Sequence, residues 1–354
     1  MFSCGKTPIR VGVAMVLTGV NSEIGVSGRN AVELAVEEIN AEGGVNGRKI
    51  ELFVRDDGSE REQALAVDEE LRGKGVVAII GHMISASGTL AVQVATEKQF
   101  PIVSPTISSS DYVGKDDYLF RLLGDSSSQG LTLAKYAYDD LKLRKIASYF
   151  DPSNLSYTAA VERAFRKEFE SRGGTVLPAK AFTSDIKQDL NHIVEVLRKT
   201  KCDGILSVAS PGDNAALCAF LEKKGSVLPV LTGMWSMTPD LIQIGGRSID
   251  RMRLAGLMET SSLAPAYRRF ASAYESRFGS QPTFSSVYSY EATRYLAAAL
   301  SKARSLRGRD IKEALLSLGK FEGLQDSFVM DRFGDPDRSF FVFAVREGRF
   351  EKIK

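Results

Sequence analysis

The sequence has few of the residues from which metal centres and many catalytic sites are built. It contains only 2 histidines and 3 cysteines, and no two cysteines are spaced as C-x-x-C. Protein zinc sites draw on such residues at close spacing, so we expect no metal site. The G-x-S-x-G, G-x-x-x-x-G-K-[ST] and complete G-x-G-x-x-G motifs are also missing. We therefore expect no cofactor and no enzymatic activity.

A long apolar run and an excess of one charge are missing as well. No run of ~18 apolar residues occurs, so the sequence predicts no membrane-spanning helix. The formal net charge is +2, from 46 Lys and Arg against 44 Asp and Glu, and the two signs are interleaved. Nucleic-acid-binding domains carry a basic patch, so nucleic acid is not an expected partner. The 354 residues are enough for two domains.

The three cysteines lie in different surroundings. Cys202 and Cys218 lie in apolar segments, where a buried, unpaired cysteine is commoner than a disulfide, although pairing stays open. Cys4 lies in the polar segment MFSCGKTP. Mature bacterial lipoproteins begin in this way, with a cysteine and a short polar tether after removal of the signal peptide. The alternative is an incidental exposed cysteine. A lipid on Cys4 would be the chain's only link to a membrane.

Apolar periodicity alternates between the patterns of strands and helices. Strands are predicted at 9–16, 50–54, 76–80, 101–104, 145–149, 175–181, 204–208, 228–231, 328–330 and 340–345. Helices are predicted at 25–41, 60–72, 86–98, 129–141, 157–172, 185–199, 214–224, 265–279 and 287–305. Strands that alternate with helices of this length form parallel sheets covered on both faces. The sequence therefore predicts an α/β fold with two sets of such units, and hence two lobes.

Hydroxyl residues follow several of the predicted strands. Thr18 follows the first strand, Ser85 follows strand 76–80, and Thr106 and Ser108 follow strand 101–104. Ligands of open α/β sheets bind at the carboxyl ends of strands. One such hydroxyl could simply cap a helix or close a turn, but several together favour a small polar site. The helix start after residue 80 has unpaired N–H groups and a positive dipole end, so we expect an anionic ligand group there.

Longer motifs carry a family resemblance along nearly the whole chain. They are TGVNSEIGVSGRNAVELAVEEINAEGGVNGRKIEL, GHMIS, SPTIS, FRLLGDSSSQG, YEATRYLAAAL and DRFGD. The sequence resembles the type I periplasmic solute-binding proteins, specifically the branched-chain amino acid (Leu/Ile/Val) binding family of ABC importers. This resemblance implies two Rossmann-like lobes with three inter-lobe crossings, which close on a ligand like a flytrap. It implies a first lobe of 7–123 and 255–328, a second lobe of 124–254 and 329–354, and an N-terminal tether of 1–6.

The resemblance also implies roles for residues of the first lobe. Ser85 would bind the ligand carboxylate with its hydroxyl, and Ser108 would bond both the carboxylate and the ammonium. Thr106 would offer its backbone carbonyl to the ammonium. Ile84 belongs to the GHMIS ligand loop, and Ile24 falls where family members often have an aromatic residue that packs on the ligand.

In the second lobe the resemblance holds less closely. Tyr157 matches a ligand-binding tyrosine of a Tyr-Gly motif, but Thr158 stands in place of the glycine. Amino-acid binders of the family have an acidic residue after strand 228–231, where it pairs with the ligand ammonium. With an offset of one residue, Trp235 takes that position, and the nearest acid is Asp240. The ligand is therefore an amino acid or another apolar or aromatic carboxylate.

The function implied by the resemblance is that of an extracytoplasmic solute-binding protein of an ABC importer. It would bind a small carboxylate-bearing solute in the inter-lobe cleft and present it to the ABC permease subunits, without any chemical reaction. The location would be periplasmic or extracytoplasmic, with a possible lipid anchor at Cys4. One alternative is a ligand-sensing domain of a receptor or regulator with the same fold, and a second is an α/β enzyme.

Overall fold

The computed structural model describes residues 6–19, 21–58, 60–183 and 186–354. These divide into two compact units. The first unit holds the chain up to Ser108, Tyr112–Gly124 and Ser262–Arg338, and the second holds Ser109–Asp111, Asp125–Ser261 and Ser339–Lys354. Cys4 and the rest of the predicted tether up to residue 5 lie outside the described residues, so a lipid on Cys4 stays a prediction.

The strands are numbered in chain order over the described residues. They are β1 Ile9–Met15, β2 Ile50–Asp56, β3 Ile79–Gly81, β4 Ile102–Ser104, β5 Leu119–Arg121, β6 Lys145–Phe150, β7 Thr175–Val176, β8 Lys180–Ala181, β9 Gly204–Val208, β10 Val230–Thr232, β11 Met252–Gly256, β12 Lys320–Glu322, β13 Ser327–Val329, β14 Phe341–Arg346 and β15 Arg349–Lys352.

The α-helices are numbered in the same way. They are α1 Ser22–Ala41, α2 Arg61–Gly73, α3 Gly88–Glu97, α4 Ser126–Lys135, α5 Leu155–Ser171, α6 Ile186–Thr200, α7 Pro211–Lys223, α8 Pro239–Gly245, α9 Pro265–Phe278, α10 Phe284–Lys302 and α11 Gly308–Leu316. No described helix combines the length and the apolar character needed to cross a membrane. Cys202 and Cys218 are both unpaired and buried, which confirms the prediction for these two.

The first unit contains a five-stranded sheet in the order β2-β1-β3-β4-β5, in which all pairs are parallel. In β1 only Arg10 is exposed. Such a nearly continuous apolar strand is typical of a parallel sheet that is covered on both faces. The strand order reverses between β1 and β3, and α/β proteins bind ligands beyond the carboxyl ends of strands at such a switch point.

The second unit repeats this strand order with later strands. Its main sheet runs β15-β14-β11-β10-β9-β6-β7, and β8 also pairs with β6. The strands from β6 to β11 pair in parallel, whereas β14 and β15 add an antiparallel edge. Strands β7 and β8 lie on one side of β6, and β9 lies on its other side. The strand order therefore reverses between β6 and β9. This unit therefore has a switch point of its own.

Several predicted boundaries differ from the structure. The segment 175–181 forms two short strands, β7 and β8, and α10 begins at Phe284, where Thr283 forms a capping box with Ser286. The predicted lobe boundaries were 123/124, 254/255 and 328/329, whereas the units change at 124/125, 261/262 and 338/339, and residues 109–111 also belong to the second unit. The boundary at 254/255 falls inside β11, which pairs with β10 and β14 and so belongs to the second sheet.

A buried histidine lies between two aspartates in the first unit. His82 follows β3, and its Nδ1 lies 2.5 Å from Oδ2 of Asp57, which follows β2. Its Nε2 lies 3.3 Å from Oδ1 of Asp68 on α2. Burial opposes a charge on the imidazole, but the two carboxylates outweigh it and raise the pKa of His82 to about 10. The ring is therefore an imidazolium at neutral pH that joins β2, β3 and α2.

We predict that His82→Asn lowers the free energy of unfolding at pH 7 by about 3–5 kcal/mol, because two buried carboxylates lose their cation. The pH dependence should change as well. The folded state holds the His82 proton up to pH about 10, whereas an unfolded histidine loses it above pH ~6.5. The stabilisation is therefore complete below pH ~6.5 and is lost as the pH rises towards 10.

Urea titrations at pH 6, 7, 8 and 9.5 check both effects. The difference between the wild type and His82→Asn should shrink as the pH rises. The exposed His192 supplies the control, since His192→Asn should follow the wild type at every pH. A difference that is constant over this range would contradict a charged His82.

Candidate ligand site

The loops after β3 and β4 bring together three of the predicted site residues. The backbone N–H of Ser108 donates to Oγ of Ser85 at 3.2 Å. Oγ1 of Thr106 donates to the backbone carbonyl of Met83 at 2.7 Å. The side chains of Ser85, Thr106 and Ser108 are all buried. Two neighbouring loops at the carboxyl edge of the first sheet are thus joined through hydroxyl groups.

The buried histidine also holds these loops. Oγ of Ser104, at the end of β4, donates to the backbone carbonyl of His82 at 2.7 Å and accepts from the N–H of Ile107 at 3.0 Å. The imidazolium and its two carboxylates therefore fix the residue from which the Ser85 loop departs. The sequence analysis assigned no role to His82. Its partners come from other elements, so the sequence alone gave no signal of its role.

The turn at Ser85 differs from the prediction. Helix α3 begins at Gly88 instead of residue 86, and residues 85–87 form a turn before it. Oγ of Ser87 and the N–H of Gly88 both donate to the carbonyl of Ile84, at 3.1 and 3.2 Å. The hydroxyl of Tyr112, which the sequence analysis did not single out, donates to the carbonyl of Ser85 at 3.0 Å. Ser85 thus lies in a tightly bonded turn that precedes the helix.

A glycine allows β3 to end close to β1. Gly81 has φ +149°, and a Cβ on it would lie 2.1 Å from the backbone oxygen of Ala14.

Ile24, in the first turn of α1, and Ile84 are both buried. Thr18 is exposed, and its hydroxyl donates to Asp56 Oδ2 at 2.5 Å. Its hydroxyl thus serves to close the loop after β1.

In the second unit, Tyr157 and Trp235 lie side by side. Tyr157 is the third residue of α5, and Trp235 lies in a single 3₁₀ turn, Met234–Ser236, after β10. Both are buried, and their rings meet edge to face with centroids 6.2 Å apart and an interplanar angle of 89°. Such edge-to-face pairs are favourable for aromatic rings. Asp240, the nearest acid in the chain, is exposed at the start of α8.

Gln129 of α4 ties the two aromatic residues to the loop after β10. The Tyr157 hydroxyl donates to Gln129 Oε1 at 2.8 Å, and the N–H of Met234 donates to the same oxygen at 2.8 Å. Burial raises the pKa of Tyr157, so its hydroxyl stays neutral. A Cβ on Gly233 would lie 2.1 Å from that hydroxyl, so only glycine fits there. Gln129 lies in the FRLLGDSSSQG motif, but the sequence gave no role for it.

A further amide lies beneath this loop. The side-chain amide of Asn214 is 2.8 Å from Ser236 Oγ and 3.2 Å from Thr232 Oγ1, and all three residues are buried. The carboxyl ends of the second sheet therefore present amide, hydroxyl and indole groups. Among the described residues there is no group of three or more His, Cys, Asp or Glu that could hold a metal ion. This set of groups suits the recognition of a ligand by hydrogen bonds and ring contacts.

Comparison with known proteins gives consistent matches over almost the full length. The Leu/Ile/Val-binding protein homolog 1 of Brucella abortus is 25% identical over 333 residues, which cover 93% of this chain and 87% of that protein. The crystal structure of a leucine binding protein, LivK, from Thermotoga maritima has a TM-score of 0.89 at 23% identity and covers 98% of both chains. This likeness confirms the predicted α/β fold.

A second solved structure differs in its ligand. It is a solute binding protein of an ABC transporter from Rhodopseudomonas palustris in complex with 3,4-dihydroxybenzoic acid. Its TM-score is 0.87 at 19% identity, and the match covers 98% of this chain and 96% of that one. The same fold thus holds chemically different carboxylates in different proteins.

The family model described as Periplasmic binding protein matches residues 8–349. This span includes both units and every predicted site residue. Its members are extracytoplasmic binding proteins rather than enzymes, which excludes the α/β enzyme considered as an alternative. The chain belongs to the Periplasmic binding protein family.

Proposed function

We propose that this protein binds a small carboxylate-bearing solute and delivers it to the permease of an ABC importer. The observation that carries the proposal is the hydrogen-bonded pair of loops at the carboxyl edge of the first sheet, where Ser108 N–H meets Ser85 Oγ. Buried hydroxyls at such an edge suit an anionic group, since bonds to a charged acceptor are about twice as strong as neutral ones. Thr106 and Ile84 belong to the same loops, and Ile24 follows β1, the strand beside β3.

The chemical class of the solute is an amino acid or an apolar or aromatic carboxylate. Similarity to Leu/Ile/Val-binding proteins supports the first class, and similarity to a 3,4-dihydroxybenzoate-bound protein supports the second. Trp235 and Tyr157 of the second unit favour a ligand with a broad apolar face, because an indole and a phenol ring attract such surfaces. Small polar amino acids should bind worst.

The identity of the solute can be tested directly. Mass spectrometry of the protein isolated without a denaturing step should detect a small carboxylate that is released on unfolding. Titration calorimetry with leucine, isoleucine, benzoate and 3,4-dihydroxybenzoate then ranks the two classes. A co-purified solute without a carboxylate, together with no binding of any of these four compounds, would overturn the proposal.

We predict that Ser85→Ala weakens carboxylate binding by at least ~10-fold. The reason is the loss of a hydroxyl bond to a charged group, which is worth roughly 1.5–3 kcal/mol. Calorimetry with whichever carboxylate binds the wild type measures the change. Ser87→Ala is a matched control, because Ser87 is equally buried in the same turn and its hydroxyl already donates to the carbonyl of Ile84. Equal affinities for the wild type and Ser85→Ala would remove Ser85 from the proposed site.

We also predict that ligand binding changes the fluorescence of Trp235. It is the only tryptophan in the chain, so emission excited at the indole band reports on this residue alone. A carboxylate that contacts the indole should quench or shift the emission in proportion to saturation. Trp235→Phe should abolish the signal and serves as the background. Constant emission through a titration that calorimetry shows to be saturating would place Trp235 outside the site.

A further inference from the structure

Two hydrogen-bond donors are left over in the Gln129–Tyr157–Trp235 cluster of the second unit. Among the described residues, Trp235 Nε1 and Gln129 Nε2 are buried and have no hydrogen-bond partner. Trp235 is 6% exposed and Gln129 is fully buried. A buried N–H without a partner costs free energy comparable with a lost hydrogen bond, so native proteins rarely leave two within one cluster.

The orientation of the Gln129 amide is fixed by its neighbours. At ordinary resolution the oxygen and nitrogen of a glutamine amide are assigned from the hydrogen bonds around them. The backbone N–H of Met234 can only donate, and it lies 2.8 Å from Oε1. A flipped amide would set two donors against each other at this point. Oε1 is therefore the acceptor for Met234 and Tyr157, and Nε2 is the group left without a partner.

The indole nitrogen of Trp235 has only one role in hydrogen bonding. Its Nε1 carries a hydrogen and can only donate. The edge-to-face contact with Tyr157 fills part of its ring surface but leaves that hydrogen unused. The Tyr157 hydroxyl donates to Gln129 Oε1 and does not accept a hydrogen bond from the indole. Both unused groups of the cluster are thus donors.

Of three carboxylates near this edge of the second sheet, two accept hydrogen bonds from the protein and one is exposed. Asp151, after β6, accepts from the N–H of Ser153 at 2.7 Å. Asp213 accepts from the Ser210 hydroxyl at 2.8 Å, and Asp240 is exposed. Asn214 Oδ1, at the same edge, is a buried acceptor without a partner among the described residues, but the unused groups of the Gln129–Tyr157–Trp235 cluster are donors, which repel a cation and attract an acceptor.

We infer that Trp235 Nε1 and Gln129 Nε2 bind a second, hydrogen-bond-accepting group of the solute, such as a keto or hydroxyl oxygen. The ligand class is then a carboxylate with a further oxygen acceptor, in preference to an α-amino acid. This inference rests on the proposed function, because it assumes that the protein binds a carboxylate. It assigns the selection between carboxylates to the side chains at positions 129 and 235.

The test uses five probes on the full chain. 4-Methyl-2-oxopentanoate and 4-hydroxybenzoate carry an acceptor, 4-methylpentanoate and benzoate are their counterparts without it, and leucine has an ammonium on the same skeleton. In the wild type each acceptor-bearing probe should bind about 3- to 10-fold more tightly than its counterpart, the ratio expected for one neutral hydrogen bond. Leucine should bind more weakly than its keto analogue.

Two substitutions then locate the effect. Trp235→Phe keeps an aromatic ring and removes the N–H, so it should lower the ratio between the affinities of each acceptor-bearing probe and its counterpart. Gln129→Glu keeps an oxygen for Tyr157 and Met234 and replaces the unused donor by an acceptor. It should lower the affinity for the keto acid and raise the affinity for leucine. Ser85→Ala should weaken all bound probes alike.

The outcomes separate the inference from the proposed function. Binding that depends on Ser85 but shows no acceptor preference, or a preference that both variants retain, would overturn the inference and leave the proposed function standing. Tighter binding of leucine than of the keto acid by the wild type would do the same. If none of the five probes binds, the carboxylate function and the inference are rejected together. Melting temperatures of both variants near that of the wild type would show that the losses arise from the site.

Discussion

The charge buried at His82 is the constraint on which the carboxyl edge of the first sheet depends. Its two aspartate partners come from different elements, the end of β2 and helix α2. An ion set of this kind is stable only when it is complete, because loss of one member leaves an uncompensated buried charge. The His82 carbonyl in turn accepts a hydrogen bond from the Ser104 hydroxyl. This bond also holds the loop after β4 in place. The Ser85 and Ser108 loops are thus held by an ionic network beneath them.

The carboxyl edge of the second sheet reaches a comparable order through neutral groups. Its strands repeat the order of the first sheet, yet its carboxyl edge is held by neutral groups: the amide of Gln129, the hydroxyl of Tyr157 and the N–H of Met234. Neutral hydrogen bonds do not change with pH in the range where His82 keeps its proton. One edge therefore combines hydroxyl groups with an ionic support, and the other combines aromatic rings with an amide. The two units offer different chemistry on the same architecture.

Periodicity in the sequence was enough to predict most of the alternating strands and helices, but not β5, β11, α8 or α11, and it also predicted the hydroxyl residues that follow β3 and β4. Contacts between residues that are distant in the sequence could not be predicted from periodicity. Gln129 and Met234 are 105 positions apart, and only the fold brings them together. Strands β12 and β15 have 3 and 4 residues, which is too short to show an alternating pattern. The start of α3 was predicted two residues early because serines in a turn and serines in a first helical turn look alike in sequence.

The loop that carries Trp235 has little freedom to adjust to a ligand. Met234, Trp235, Ser236, Met237 and Thr238 are all buried, and Gly233 cannot take a side chain because the Tyr157 hydroxyl occupies that space. Ser236 Oγ donates to the carbonyl of Ala209 at 2.8 Å, which holds the loop from below. A loop fixed at both ends and from beneath cannot change its backbone to suit a new ligand without losing these contacts. Under the proposed function, selectivity in this part of the second unit depends on the side chain at position 235, which a substitution can change while the fold stays the same.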